Sequence, residues 1–273
     1  MTASMAGFAV EDLFVKSASV HLPPGQIILT MGLLGLGFFA LLSARRGEQV
    51  FPRALLGRAM LLRSGFEISG RLFYALALAL TPLSTTSAIL QATPLVVIAG
   101  AALLFGEQVG WRRWAAVLAG LAGVMVVLRP GVEGFSVLSL LAVAGMLGFA
   151  GRDLATRAAP KVLSNRQLGT LGFSMLAIAG ASMLAVTGGA RMPALPEAGL
   201  VLGATVFGVF GYHMLTGAMR TGSVASVTPF RYTRLVFALL LAALVLGERP
   251  DALTILGGAV IVLAGLYGLS RRG

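Results

Sequence analysis

The chain has 273 residues, of which 57% are apolar and only 11% charged, with a mean hydropathy of +0.91. A soluble domain carries about 25% charged residues, so a soluble enzyme is excluded, and repeated apolar runs of about 20 residues point to many spans of a ~30 Å hydrocarbon core. The 21 Lys and Arg against 10 Asp and Glu need no nucleic acid to explain them, because cations are retained on the cytoplasmic side of spanning helices.

Apolar runs bounded by charge, Gly and Pro predict an all-α, polytopic membrane protein of ten transmembrane helices: 4–20, 25–43, 59–80, 84–105, 111–128, 134–151, 166–187, 197–217, 223–246 and 252–269. The first is short and holds Glu11, Asp12 and Lys16. It lacks the basic start and unbroken apolar stretch of a signal peptide, and its brevity suggests that residues ahead of Met1 are missing. Asp12 and Lys16 stand four apart and can neutralise each other, with Glu11 pointing elsewhere; the sharper reading makes Glu11 or Asp12 a protonatable carboxylate, with Asp12 a candidate proton or charge relay.

In the third span Arg63, Glu67 and Arg71 recur every fourth residue, on one face, with Glu67 able to pair with either arginine and a second relay candidate. Arg63 reads as part of a structural salt-bridge ladder near the cytoplasmic end, its guanidinium snorkelling. Arg71 lies roughly mid-membrane at 1.5 Å per residue and suits a cavity, as does the aromatic Tyr74. The fourth span carries Gln91 and Thr93-Pro94; the fifth opens with Trp111 and Trp114, interfacial anchors ahead of a Gly-rich packing helix. Phe210, Tyr212 and His213 cluster in the eighth span. In the ninth, Arg231 and Arg234 lie within about 12 Å of the end at Ser223, where snorkelling accounts for both, and Tyr232 falls between them.

Counting Lys and Arg in alternate connections from a cytoplasmic N-terminus sets thirteen (Arg45, Arg46, Arg53, Arg58, Arg112, Arg113, Arg152, Arg157, Lys161, Arg166, Arg220, Arg271, Arg272) against three (Arg129, Arg191, Arg249). This bias favours ten spans with both termini cytoplasmic. Ala88 to Glu107 also lies on Pro229 to Glu248 at a constant offset of 141, both stretches ending in Gly-Glu. The chain therefore divides into halves 1–131 and 132–273, each of five spans. An odd number of spans threads the second copy in the opposite direction, and inverted repeats of this kind place a substrate site near the midplane. Tyr232 falls on Gln91 under the offset, near the Pro-bearing starts of the fourth and ninth spans, where Pro94 and Pro229 free carbonyls and are candidate hinges.

Thr93-Pro94 in the fourth helix, its end at Gly106-Glu107, Gly123 sixteen residues beyond, Gly247-Glu248 followed by Gly257 and Ala264-Gly265, and the entry Leu22-Pro23-Pro24 together resemble the drug/metabolite transporter superfamily, in its EamA-like branch of bacterial ten-helix exporters. The resemblance covers nearly the whole chain. It implies two EamA units, location in the bacterial inner membrane, and export of aromatic and other neutral amino acids like the superfamily's amino-acid exporters. One departure is an Arg common early in the family's second helix, whose region here holds Thr30 and Met31.

No phosphate loop for an ATP-driven pump and no His-Glu-x-x-His or nucleophile set for an enzyme is present. The absence of Cys and the wide separation of His21 and His213 give no disulfide or metal signature, and no cofactor is implied. The reading is a secondary transporter working by alternating access, a substrate pocket of Arg71, Tyr74, Gln91, Phe210, Tyr212, His213 and Tyr232 taking a small molecule, and partners limited to that substrate and the bilayer, with a monomeric chain. The alternatives are an exchanger of phosphorylated or nucleotide-type metabolites and a channel-like facilitator.

Overall fold

The computed structural model describes residues 1–106, 110–128, 136–157, 162–221 and 228–270. Glu107, Arg129, Lys161, Ser223, Arg271, Arg272 and the division at 131/132 lie outside them. Among the described residues all regular structure is helical: α1 (Thr2–Ala18), α2 (Pro24–Arg45), α3 (Arg58–Leu80), α4 (Leu83–Leu90), α5 (Thr93–Phe105), α6 (Trp111–Leu128), α7 (Ser139–Arg157), α8 (Asn165–Thr187), α9 (Leu195–Thr221), α10 (Thr233–Val245) and α11 (Ala252–Ser270). Short 3-10 turns cover Arg53–Leu56 and Thr228–Tyr232.

The fourth span is thus two helices, α4 and α5, broken at Gln91-Ala92. Pro94 lacks an N–H and its ring displaces the carbonyl four residues earlier; that carbonyl, Leu90 O, accepts instead from Thr93 Oγ1 at 2.6 Å. The ninth span repeats the design, the 3-10 turn leading into α10. Both broken spans end on a left-handed glycine, Gly106 at φ 64° and Gly247 at φ 65°, a backbone conformation that a side chain disfavours.

Each helix of the first half finds its main partner in the second: α1 with α9, α2 with α8, α3 with α7, α4 with α10 and α6 with α11, while α5 lies against α7 as α10 also lies against α1. Shifting any of these pairs by five spans returns a pair in the same set, as a pseudo-two-fold relation requires. The pairs run antiparallel. Along α2 and α8, Gly25 meets Leu184 and Gly180 while Gly35 meets Phe173; along α6 and α11, Gly123 meets Gly257 while Gly120 approaches Ala264. Backbones touch here: a Cβ at Gly25 would lie 2.7 Å from Leu184 N, and one at Gly257 would lie 2.7 Å from Gly123 O. Apolar tails are as hydrophobic as lipid, so small residues that permit such approach supply the cohesion between helices.

Pro24–Arg45, Leu83–Leu104, Asn165–Thr187 and Leu195–Ala218 are each long and apolar enough to cross a membrane. The helices α1, α3 and α7 are more polar because they turn charges inward: Asp12 and Glu67 are buried, while Leu61 of α3 and Leu147 of α7 face outward. The largest boundary difference from the sequence reading is at the end of the sixth span. The sixth span runs to Arg157 where the apolar run ends at 151, so Arg152 and Asp153 are helical residues pointing into the bundle, their mutual contact of 2.8 Å offsetting both charges.

Candidate functional site

A cavity of about 300 Å³ lies between the halves, walled by α1, α2, α3, α4, α7, α8, α9 and the ninth span. Its lining extends from Val15 and Leu78 to Thr156, Asn165 and Thr216, and Thr156 is exposed. The opposite end is closed. Lys16 Nζ donates to Thr81 O at 2.7 Å, and Glu248 accepts from Leu83 N at 2.8 Å, Ser84 N at 3.1 Å and Ser84 Oγ at 2.9 Å. A carboxylate from the second half therefore caps the N-terminus of α4 in the first, satisfying orphan N–H groups and the positive end of the helix dipole. This gives the Gly-Glu end a physical role: the left-handed Gly247 stops the ninth span and turns Glu248 back onto α4.

Charge organises the wall. Arg234 Nη2 donates to Asp12 Oδ2 at 2.6 Å, Tyr74 Oη donates to the same oxygen at 3.0 Å, and Arg234 also reaches Tyr74 Oη at 3.3 Å. Buried Glu67 lies 2.9 Å from Arg63, 3.4 Å from Arg152 and 3.8 Å from Arg71. Asp153 joins Arg152 to Arg231, the latter at 3.4 Å. Two phenylalanines hold guanidinium planes: Arg234 lies 5.3 Å from the Phe8 ring centroid, and Arg152 and Arg71 lie 5.0 and 5.8 Å from that of Phe149. Such contacts strengthen when desolvated. With Glu11, which also lines the cavity, five arginines face four carboxylates (Glu11, Asp12, Glu67 and Asp153), an excess of one positive charge.

Of the residues singled out from sequence, the cavity brings together Glu11, Asp12, Arg63, Arg71, Tyr74, Gln91, Thr93, Pro94, Tyr212, Arg231 and Arg234. Glu67 sits behind its wall as the shared counter-ion of three arginines. Phe210 and His213 do not join the lining; both are exposed on the outer side of α9. The reason is helical phase: Tyr212, Leu215 and Thr216 form the cavity stripe at i, i+3 and i+4, and neighbours one or two positions away face elsewhere. Tyr232 is buried, but its ring lies against Gly265 of α11 and its hydroxyl has no partner. Its counterpart Gln91 faces the cavity, so the two equivalent positions do different work. The side chain of Pro229 is not among those described.

Three sequence expectations change. Asp12 pairs with Arg234 and Lys16 bonds to Thr81, so the two do not neutralise each other. Arg231 and Arg234 reach inward to carboxylates and do not snorkel. Arg63 makes the expected salt bridge to Glu67, but it is buried there and does not snorkel. The residues the sequence reading missed are Phe8, Phe149, Arg152 and Asp153. Carrying the offset of 141 back to the first span would have paired Phe8 with Phe149 and Asp12 with Asp153.

The sequence matches the EamA-like transporter family over residues 1–129 and again over 137–271. It is 30% identical to the pseudopaline exporter CntI of Pseudomonas aeruginosa, over 97% of this chain and 92% of that protein. It is 28% identical to a riboflavin transporter of Rhizobium johnstonii over 86% and 76% of the two chains, and 25% identical to an S-adenosylmethionine uptake transporter of Rickettsia prowazekii over 76% and 69%. A solved crystal structure shares the fold at a TM-score of 0.67, with 20% identity and 98% of both chains covered. Ten helical spans paired across a pseudo-two-fold, a cavity between the halves closed at one end and two family matches in tandem lead to one statement: the chain belongs to the EamA-like transporter family of the drug/metabolite transporter superfamily, and is a multi-pass membrane transporter of small molecules, not an enzyme.

Proposed function

We propose that this transporter exports small zwitterionic metabolites, aromatic and neutral amino acids first among them, across the bacterial inner membrane by alternating access. The observation that carries the reading is Arg71: it lines the cavity roughly mid-helix, its Nε has no hydrogen-bond partner, and its nearest carboxylate oxygens stand at 3.8 and 3.9 Å. A guanidinium held short of full pairing is ready to take a substrate carboxylate. Phe8, Tyr74, Phe149 and Tyr212 supply an aromatic wall for the side chain. The two units, 1–131 and 132–273, rock about this site; the broken spans at Pro94 and Pro229 are the hinges. The basic connections put both termini in the cytoplasm, so the open end of the cavity faces inward and the end capped by Glu248 faces out. The chain works as a monomer.

A second reading draws on the excess positive charge of the wall, which favours an anionic metabolite carrying phosphate. A thermal-shift screen of amino acids and phosphorylated metabolites on the purified protein separates the two, since a ligand that binds only the folded state raises its stability. Stabilisation by phenylalanine, tryptophan or leucine, followed by saturable uptake of the same compounds into proteoliposomes, is the expected result. Stabilisation by phosphates alone would replace the amino-acid reading with the anionic one; non-saturating flux would replace alternating access with a channel.

A further inference from the structure

The offset of 141 relates the two helix pairs that flank the cavity, α3 with α7 and α1 with α9. Phe149 of α7 packs on Gly70 of α3, where a Cβ would meet its Cδ1 at 2.9 Å; Phe8 of α1 packs on Gly211 of α9, where a Cβ would also meet its Cδ1 at 2.9 Å. The same contact is thus made twice. One turn further along, the two pairs part. In the first, Arg152 of α7 meets Glu67 of α3 at 3.4 Å. In the second, Glu11 occupies the position of Arg152, and the position of Glu67 is taken by Gly208.

The carboxylate of Glu11 lies directly over that glycine: a Cβ at Gly208 would stand 3.0 Å from both Glu11 Cδ and Oε1. Glu11 lines the cavity, its side chain is 8% exposed, and its nearest cation is Arg71 Nη1 at 3.9 Å, with Arg71 shared with Glu67. Asp12 beside it is already taken by Arg234. A buried carboxylate without a hydrogen-bond donor is costly, and the nearest cation among the described residues, Arg71, stays beyond hydrogen-bond distance of it, where the equivalent face has a closer pair.

We propose that Glu11 is the subsite for an organic ammonium group, and that Gly208 determines its specificity by leaving the carboxylate seated against α9. The inference rests on the reading of the cavity as the substrate site and adds the second pole of the substrate: the carboxylate goes to Arg71, the ammonium to Glu11. A side chain at Gly208 displaces the carboxylate from α9 and spoils the ammonium site while sparing Arg71.

The test measures binding of phenethylamine, 3-phenylpropanoate and L-phenylalanine to purified wild type, Glu11→Gln and Gly208→Ala. Phenethylamine affinity is expected to fall about tenfold or more in both variants, as for loss of a charge-assisted hydrogen bond, while that of 3-phenylpropanoate stays within about twofold. Glu11→Gln is isosteric and keeps the test open if Gly208→Ala folds poorly. Unchanged amine binding in Glu11→Gln, or equal losses for amine and acid, overturns the proposal. Phenethylamine binding that depends on Glu11 in a protein that ignores phenylalanine supports the subsite and removes the amino-acid reading. Equal phenylalanine binding by wild type and Glu11→Gln does the reverse.

Discussion

The α3·α7 and α1·α9 contacts share a plan, with a phenylalanine laid on a glycine in each, yet one buries a network of four charges and the other a single carboxylate. Around Glu67 the charges of Arg63, Arg71 and Arg152 are held by one another's partners, and the wall is rigid because removing any member leaves the rest uncompensated in a low dielectric. Around Glu11 the protein leaves the pairing incomplete. Duplication produces two equivalent faces; divergence at a few positions, Glu67 against Gly208 and Arg152 against Glu11, assigns one face to structure and leaves the other to a ligand.

The largest break in this contrast comes from Glu67→Gln, which strips three buried guanidinium groups of their common counter-ion. We expect a loss of about 3–5 kcal/mol, read as a steep drop in unfolding temperature in detergent, whereas Gly208→Ala unfolds near wild type. Equal losses in the two variants would show that the faces are not specialised. Next in size, Tyr74→Ala and Gln91→Ala reduce transport severalfold by removing groups that line the cavity, while His213→Ala and Phe210→Ala keep wild-type flux from the outer side of α9. Loss of flux in His213→Ala at normal expression would place the pocket elsewhere.

Glu248→Ala sharpens a related contrast, between the closed and open ends of the cavity. Removing a carboxylate cap from the N-terminus of α4 should cost about 1 kcal/mol and increase labelling of a cysteine introduced at Thr86; unaltered stability and labelling would mean that Glu248 does not hold that end shut. The smallest effect belongs to the connection after α2. Glu48 accepts from Arg166 and from Ser164 Oγ, and the Arg166 hydrogen bond holds its carboxyl below the usual carboxylate range. A depressed folded pKa contributes stability above the unfolded value that is lost as pH falls through the folded one. Glu48→Gln should therefore lower stability slightly at neutral pH and leave it unchanged below the folded pKa, so that the acid limb of a stability profile flattens; an unchanged acid limb would count against the pairing.

Apolar run length and the repeat at 141 made the ten spans legible because each helix must satisfy its own backbone in lipid, which ties sequence pattern to structure with little help from neighbours. Charges were harder to read. Arg152, Arg231 and Arg234 each stand near a basic connection, and by position alone a snorkelling arginine and one turned to a buried carboxylate look the same. The choice belongs to Asp153, beside Arg152 on α7 and on a different element from Arg231, and to Asp12, on a different helix from Arg234. His213 erred for a local reason, since residues adjacent in sequence diverge by about 100° around a helix.

By itself the sequence determined the all-helical membrane architecture, the two-fold repetition and the family, since these follow from hydrophobic length, periodicity and motifs distributed along the chain. Only the tertiary structure decided which face of α9 looks inward, which arginine neutralises which carboxylate, and why Gly-Glu ends a span: Glu248 and Ser84 are 164 residues apart and meet because antiparallel halves close on each other. Ion pairing acts over a few ångströms, and that proximity is a property of packed helices that no local pattern encodes.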